Sequence, residues 1–243
     1  MGRALISVAK AGVTLPTGQI GTVSPAPPWF DLESLTEEIF AAAPKRFSQN
    51  KETQERFQAL AMDKYPGRTR IFTDGSVRQG GRSTTAAIFV EEKNICSTWN
   101  LSGGVPIITA ELFAISQAMI FIARNCIVNS VIFTDSQSAL LLVANRKPPS
   151  NRALVYNIQQ AICDLTSKGY KTGIQFIPSH KGILGNEVAD KAAGMTHGAE
   201  VTYALPPDPK HSSQSPGSGL LPLGRRHVWT SGMLTTSVRG HDP

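Results

Sequence analysis

Two stretches of this sequence end in the same grammar. Arg70–Asp74 reads RIFTD and Val131–Asp135 reads VIFTD, each followed by Gly-Ser or Ser. β-branched and aromatic residues before Thr-Asp predict a short strand that ends in a carboxylate. If the two strands are parallel neighbours, both carboxylates emerge at the carboxyl edge of one sheet, where open sheets gather their ligands. One aspartate after a strand is most simply a cap for the next turn or helix. Two in the same frame point to a shared site.

The segments around them fill in a sheet and its cover. Thr84–Val90 and Asn94–Leu101 read as strands joined by a tight polar turn. Ile108–Arg124 has helical apolar spacing through Leu112, Ile115, Met119 and Ile122. A strand over Ser130–Thr134 follows, then helices over Ser136–Ala144 and Ala153–Lys168, a strand over Gly173–Ile177 and a helix over Asn186–Met195. Three hairpin-linked strands followed by strands alternating with helices predict an α/β fold, a mixed sheet flanked by helices.

This dense zone occupies residues 68–198 of the 243. At roughly 100–200 residues per domain, the chain holds one full domain plus appendages. With 41% hydrophobic and 17% charged residues, it excludes wholesale disorder. Residues 1–67 read as an irregular, Pro-rich segment with two short helices, a linker to the dense zone. The first helix opens at a capping box from Ser34 to Glu37 and stops at Pro44; the second is Lys51–Lys64. Residues 199–243 are rich in Ser, Gly and Pro and read as a disordered tail.

The apolar runs Ala118–Ala123 and Ala139–Ala144 fall far short of the ~20 residues of a membrane span, so no membrane partner is expected. The opening MGRALISVAK makes a poor signal peptide because Lys10 interrupts a short apolar stretch. Three widely spaced cysteines, Cys96, Cys126 and Cys163, form no CxxC pair. They predict neither zinc nor disulfides but a reducing, intracellular location, not secretion. The net charge is +6, and its excess lies in residues 69–198, with 12 bases against 8 acids. That balance suits a polyanionic partner such as nucleic acid.

Two further acidic segments belong to this zone. Glu111 falls in TAELFAI, in the expected first turn of a helix with an apolar opposite face. In Pro178–Ala192 a strand ending at His180 leads through a glycine-punctuated loop to a helix carrying Asn186, Glu187 and Asp190. Asn186 and Asp190, four apart, share a face of that helix.

Four segments, TDGS at 73–76, TAEL around Glu111, TDSQSAL at 134–140 and SHKGILGNEVADKAA at 179–193, resemble the motifs of the type 1 ribonuclease H family, in the family's order. The wording TAELFAI and the PPW near residue 29 are closest to ribonuclease H domains of non-LTR retrotransposon reverse transcriptase polyproteins. The resemblance implies a ribonuclease H-like fold, a five-stranded mixed sheet of three antiparallel strands and then two parallel ones, flanked by helices. It implies hydrolysis of the RNA strand of RNA–DNA hybrids to a 5′-phosphate and a 3′-hydroxyl. Asp74, Glu111, Asp135 and Asp190 would then ligate two Mg2+ ions, with Mn2+ as a substitute, and His180 would assist proton transfer or product departure. Gly75, Ser76, Ser136, Gln137 and Asn186 match positions that contact the hybrid. No obligate protein partner is implied beyond a reverse transcriptase module in the parent element.

The sequence departs from that pattern in two places. Paired asparagines that read the two strands in cellular members are replaced by the apolar Pro106-Ile107-Ile108. The long basic insertion between helices is replaced by the short stretch Ala144–Arg152, with Lys168, Lys171 and Lys181 as further phosphate contacts. These departures keep open an alternative function, a catalytically weak or inactive nucleic-acid-binding remnant. A transposase or integrase of the same fold is disfavoured by HKGILGNEVAD.

Overall fold

A computed structural model of the chain describes residues 50–78, 83–101, 104–205 and 227–230. The extended segment and the capping-box helix expected before residue 45 lie outside the described residues. The first described element is helix α1 (Asn50–Lys64), followed by β1 (Thr69–Val77), β2 (Thr84–Val90) and β3 (Ile95–Leu101). Then come α2 (Ile107–Arg124), β4 (Asn129–Thr134), α3 (Gln137–Ala144), α4 (Arg152–Ser167), β5 (Lys171–Phe176), α5 (Leu184–Met195) and β6 (His227–Thr230). The sheet runs β5-β4-β1-β2-β3-β6. β1, β2 and β3 are antiparallel neighbours, and β4 and β5 add in parallel to β1. The expected five-stranded mixed sheet is therefore present.

Alternation along the strands splits the core into two layers. Ile71, Ile88, Trp99 and Ile132 pack under α2 and α4 with Leu112, Ile115, Met119 and Ile158. Phe72, Phe89, Val131 and Phe133 point to the other face and meet α1 and α5. Burial on both faces explains why β2 is buried at all seven positions, with no polar alternation. α2 is long and apolar enough to cross a bilayer by length and composition, yet half of it is buried in the domain. Its apolar surface is spent on the sheet and on α4.

α1 lies in the stretch expected to be a linker, but its contacts are those of a core helix. Phe57 is 1% exposed, and its ring packs edge-on against Phe133 at 4.9 Å and tilted against Phe72 at 5.8 Å. Tyr65, just beyond the helix, donates its hydroxyl to the buried Gln175 Oε1 at 2.8 Å. A polar helix with one narrow buried stripe, Phe57 and Ala61, gives a weak periodic signal, and only the aromatic layer of the sheet, Phe72 and Phe133, reveals where it docks. Phe57→Ala is expected to cost about 3–5 kcal/mol, the usual price of removing a buried aromatic ring. Urea denaturation of the full chain should show a lower midpoint with an unchanged slope; an unchanged midpoint would contradict this packing.

Part of the presumed tail is also ordered against the sheet. Thr202 exchanges hydrogen bonds with the Asn100 backbone, and the Tyr203 ring sits 4.7 Å from Phe113. His227–Thr230 pairs antiparallel with β3. The physical reason is the same for both: β3 is an edge, and an edge strand offers unpaired backbone donors and acceptors to any extended segment.

Candidate active site

The two matching strands sit as expected. β1 and β4 are parallel in the register Thr73↔Thr134, so Asp74 and Asp135 are the next residues on each. One detail differs: β1 does not end at Asp74. It continues to Val77 in its ladder with β2, with Asp74 opposite Ala87. The hairpin outruns β4, and Asp74 stands where its parallel neighbour stops.

Asp74 shares a face with Phe72, the face covered by α5, whereas Gly75 faces α2. A Cβ on Gly75 would come 3.0 Å from the Glu111 backbone nitrogen. Glycine therefore lets α2 lie against the strand and brings Glu111 over the sheet edge. Glu111 is the fifth residue of α2, not in the first turn as expected. Gly185 does the same for α5: a Cβ there would meet the Phe72 ring at 2.1 Å. Removing the side chain seats the start of α5 on the aromatic layer and turns Asn186 and Asp190 toward the edge.

Ligand atoms of Asp74, Glu111 and Asp135 all lie within 4.8 Å of one another. Asp74 and Glu111 are buried, 6% and 7% exposed, and Asp135 is half-buried. Asp190 lines the same cleft of about 610 Å3, together with Gly75, Ser76, Ser136, Gln137 and His180. Asp190 also lies within reach of His180, whose Nδ1 is 3.6 Å from its Oδ2. His180 is exposed, in a turn beyond the end of β5 rather than at a strand end. Its φ of 49° is left-handed, a conformation that non-glycine residues adopt at some cost.

Burial pushes the Asp74 carboxyl up to about 8, with the charges of Asp135 and Asp190 adding and the Gly75 N–H opposing. Burial, then Asp74 and Asp135, likewise raise Glu111 well above the usual carboxylate range. Like charges ~4 Å apart repel by about 4 kcal/mol at an effective dielectric near 20. Among the described residues, Asp74 Oδ2 and Glu111 Oε2 are buried acceptors with no hydrogen-bond partner. Crowded hard oxygens with unused lone pairs fit a hard divalent cation.

Not every expected contact residue faces the cleft. Asn186 is 2% exposed and donates from Nδ2 to Asp135 Oδ2 at 3.0 Å. It holds the Asp135 carboxylate from behind and does not line the cleft. Ser136 both lines the cleft and caps α3, accepting from the Ala139 N–H. Ile107, from the apolar stretch that replaces the paired asparagines, does line the cleft and is 45% exposed. Sequence reasoning missed His197, which contacts Ser76 from 121 positions away; no local spacing reports such a pair.

A mixed sheet whose parallel strands bring two aspartates to one edge, beside Glu111 from a helix, forms a candidate site for divalent cations. Residues 66–197, more than half of the chain, match the family described as RNase H, and the chain belongs to that family. Membership carries ribonuclease action on RNA–DNA hybrids as the general activity and divalent-metal dependence as the general requirement. No curated protein matches the chain.

Proposed function

We propose that the chain is a catalytically competent, Mg2+-dependent ribonuclease H that cuts the RNA strand of RNA–DNA hybrids and derives from a non-LTR retrotransposon. The observation that carries this reading is the meeting of Asp74, Glu111 and Asp135 within 4.8 Å, with two buried oxygens left unpaired. Asp190 is the fourth ligand, from the facing wall of the cleft. Asp74, Glu111, Asp135 and Asp190 would hold two Mg2+ ions, replaceable by Mn2+, which when bound would polarise a water and stabilise charge on the leaving 3′-oxygen.

The residues of the chain do the rest. Asp74 and Glu111, fixed by strand and helix, present their oxygens without reorganisation. Asn186 aligns Asp135 by its amide hydrogen bond. His180, exposed and beside Asp190, takes up or hands on a proton as product leaves. Gly75, Ser76, Ser136 and Gln137 meet the hybrid along the cleft floor. Arg146, Lys147 and Arg152, near the mouth of α4, hold phosphates, so affinity falls steeply with salt. Three free thiols suit a reducing intracellular compartment, and a reverse transcriptase module of the parent element is the natural partner.

A second reading, a binding remnant without turnover, is favoured by one observation: Ile107 puts an apolar side chain in the cleft where strand-reading polar groups are expected. A labelled RNA–DNA hybrid incubated with Mg2+ separates the two. Cleavage leaving 5′-phosphates, lost in Asp135→Asn, is expected. Tight hybrid binding with no cleavage in either protein selects the second reading, and strand joining on DNA ends overturns both.

A further inference from the structure

A chain of hydrogen bonds runs from the cleft into the wall formed by β2, β3 and the end of α5. Ser76 Oγ lies 3.0 Å from His197 Nε2, and His197 Nδ1 lies 2.9 Å from Ser83 Oγ. Ser83 in turn donates to Asn100 Oδ1 at 3.3 Å, and Asn100 Nδ2 donates to the Ala199 carbonyl. Only Ser76 among these residues lines the cleft.

The direction of every link follows from its far end. A backbone carbonyl only accepts, so the Asn100 atom beside Ala199 is its NH2, and the Asn100 oxygen is left to accept. Ser83 has one hydroxyl proton and gives it to that oxygen. Ser83 therefore accepts from His197, which places the ring proton on Nδ1. A neutral imidazole with a proton on Nδ1 has a bare Nε2, which accepts from Ser76. Burial first, and then the Arg78 charge, lower the His197 pKa, which favours that neutral ring. Asn100 is 4% exposed, so the wire is anchored in the core and not in solvent.

We infer that His197 is a specificity-setting positioning residue: by taking the Ser76 hydroxyl proton, it leaves Ser76 Oγ as an acceptor toward the cleft, matched to a hydrogen-bond donor in the minor groove of the substrate. Phosphate oxygens and a 2′-deoxy sugar have no proton to offer there. A ribose 2′-hydroxyl does, and so does the guanine 2-amino group. With the 2′-hydroxyl as donor the wire gives the site a means of preferring RNA at one nucleotide, and with the amino group a means of preferring guanine, in either case independent of the carboxylates. This inference rests on the reading of the cleft as the hybrid site.

Hybrids carrying a single 2′-fluoro substitution, scanned along the RNA strand, test the ribose source, since fluorine accepts but does not donate. Inosine in place of guanine tests the amino source. With the wild-type full chain, one substitution near the cut is expected to lower kcat/KM by about tenfold, the value of one lost hydrogen bond. In His197→Phe and Ser76→Ala, the unmodified hybrid should fall by about that factor while the modified hybrid stays where it was, so the penalty vanishes. A purely structural role lowers both substrates together and leaves the penalty intact; that result overturns the inference while hybrid cleavage itself survives. A wild-type protein that neither binds nor cleaves hybrid overturns the functional reading and this one with it. A second measurement needs neither variant nor substrate: nitrogen NMR of the histidine-labelled full chain should show His197 protonated on Nδ1. Protonation on Nε2 would reverse the wire and end the proposal.

Discussion

Asp74→Asn is expected to reduce kcat on an RNA–DNA hybrid by a factor on the order of 10^3 or more, with the hybrid's KM changed only a few-fold. Asp74 is the residue on which the site converges. It neighbours Glu111 from α2 and Asp135 from β4, and its carboxyl feels the charge of Asp190 from α5. Asparagine keeps the shape and one oxygen but removes the negative charge that a divalent cation requires. Preorganised electrostatic groups at the reacting centre each contribute ~10^2–10^3 in rate, and metal binding itself depends on this one. Nucleic-acid binders draw most of their affinity from phosphate contacts, which Asp74 does not make, so KM should move little. Steady-state cleavage in saturating Mg2+ checks this, and activity within tenfold of wild type would remove Asp74 from the metal site.

The site was legible in the sequence to the extent that its residues sit in strand-end and helix-face patterns. RIFTD and VIFTD announce parallel strands, and the register Thr73↔Thr134 delivers both aspartates to one edge. What the pattern could not show is that β1 runs on to Val77, because the extension is made by pairing with β2, a non-local choice. Asn186 reads as a substrate contact from its face on the helix; only the packing of Gly185 on Phe72 reveals that it is turned inward onto Asp135. The helix of α1 was legible as Lys51–Lys64, but its docking was not, for a related reason. Its buried apolar residues, Phe57 and Ala61, are too few to announce a core contact, and the layer that receives them, Phe72 and Phe133, comes from distant strands. His197 belongs to the same class: its role exists only because the end of α5 is folded back beside Ser76 and Ser83. Local chemistry is written in local sequence, while the second layer that aims it is written in packing.

The same crowding that makes the site a cation binder should make the metal-free protein less stable as pH rises. Asp74 titrates near 3.8, the ordinary value for an aspartate, when unfolded, and burial lifts it to about 8 when folded. A folded value above the unfolded one means that the native state holds its proton longer. Stability is then fully present below pH ~4 and is lost progressively as pH climbs toward ~8, at up to about 1.4 kcal/mol per pH unit for one group. Glu111 shifts in the same direction and steepens the loss. Metal-free wild type should therefore melt lower at pH 8 than at pH 5, by several degrees or more. Asp74→Asn has no charge to bury, so its melting temperature should exceed that of wild type at pH 8 by ~5 °C or more, at ~2–4 °C per kcal/mol for a chain of this size. Mg2+ should narrow the gap. An ion bound only by the folded wild type adds about 2.7 kcal/mol at a hundred times its Kd, whereas the variant has lost the charge that would hold it. Calorimetric scans of both proteins at pH 5 and 8, with EDTA and with Mg2+, read all eight conditions. A wild type that gains stability with pH in EDTA, or a variant that Mg2+ stabilises as strongly as wild type, would mean that Asp74 does not carry the buried charge argued for it.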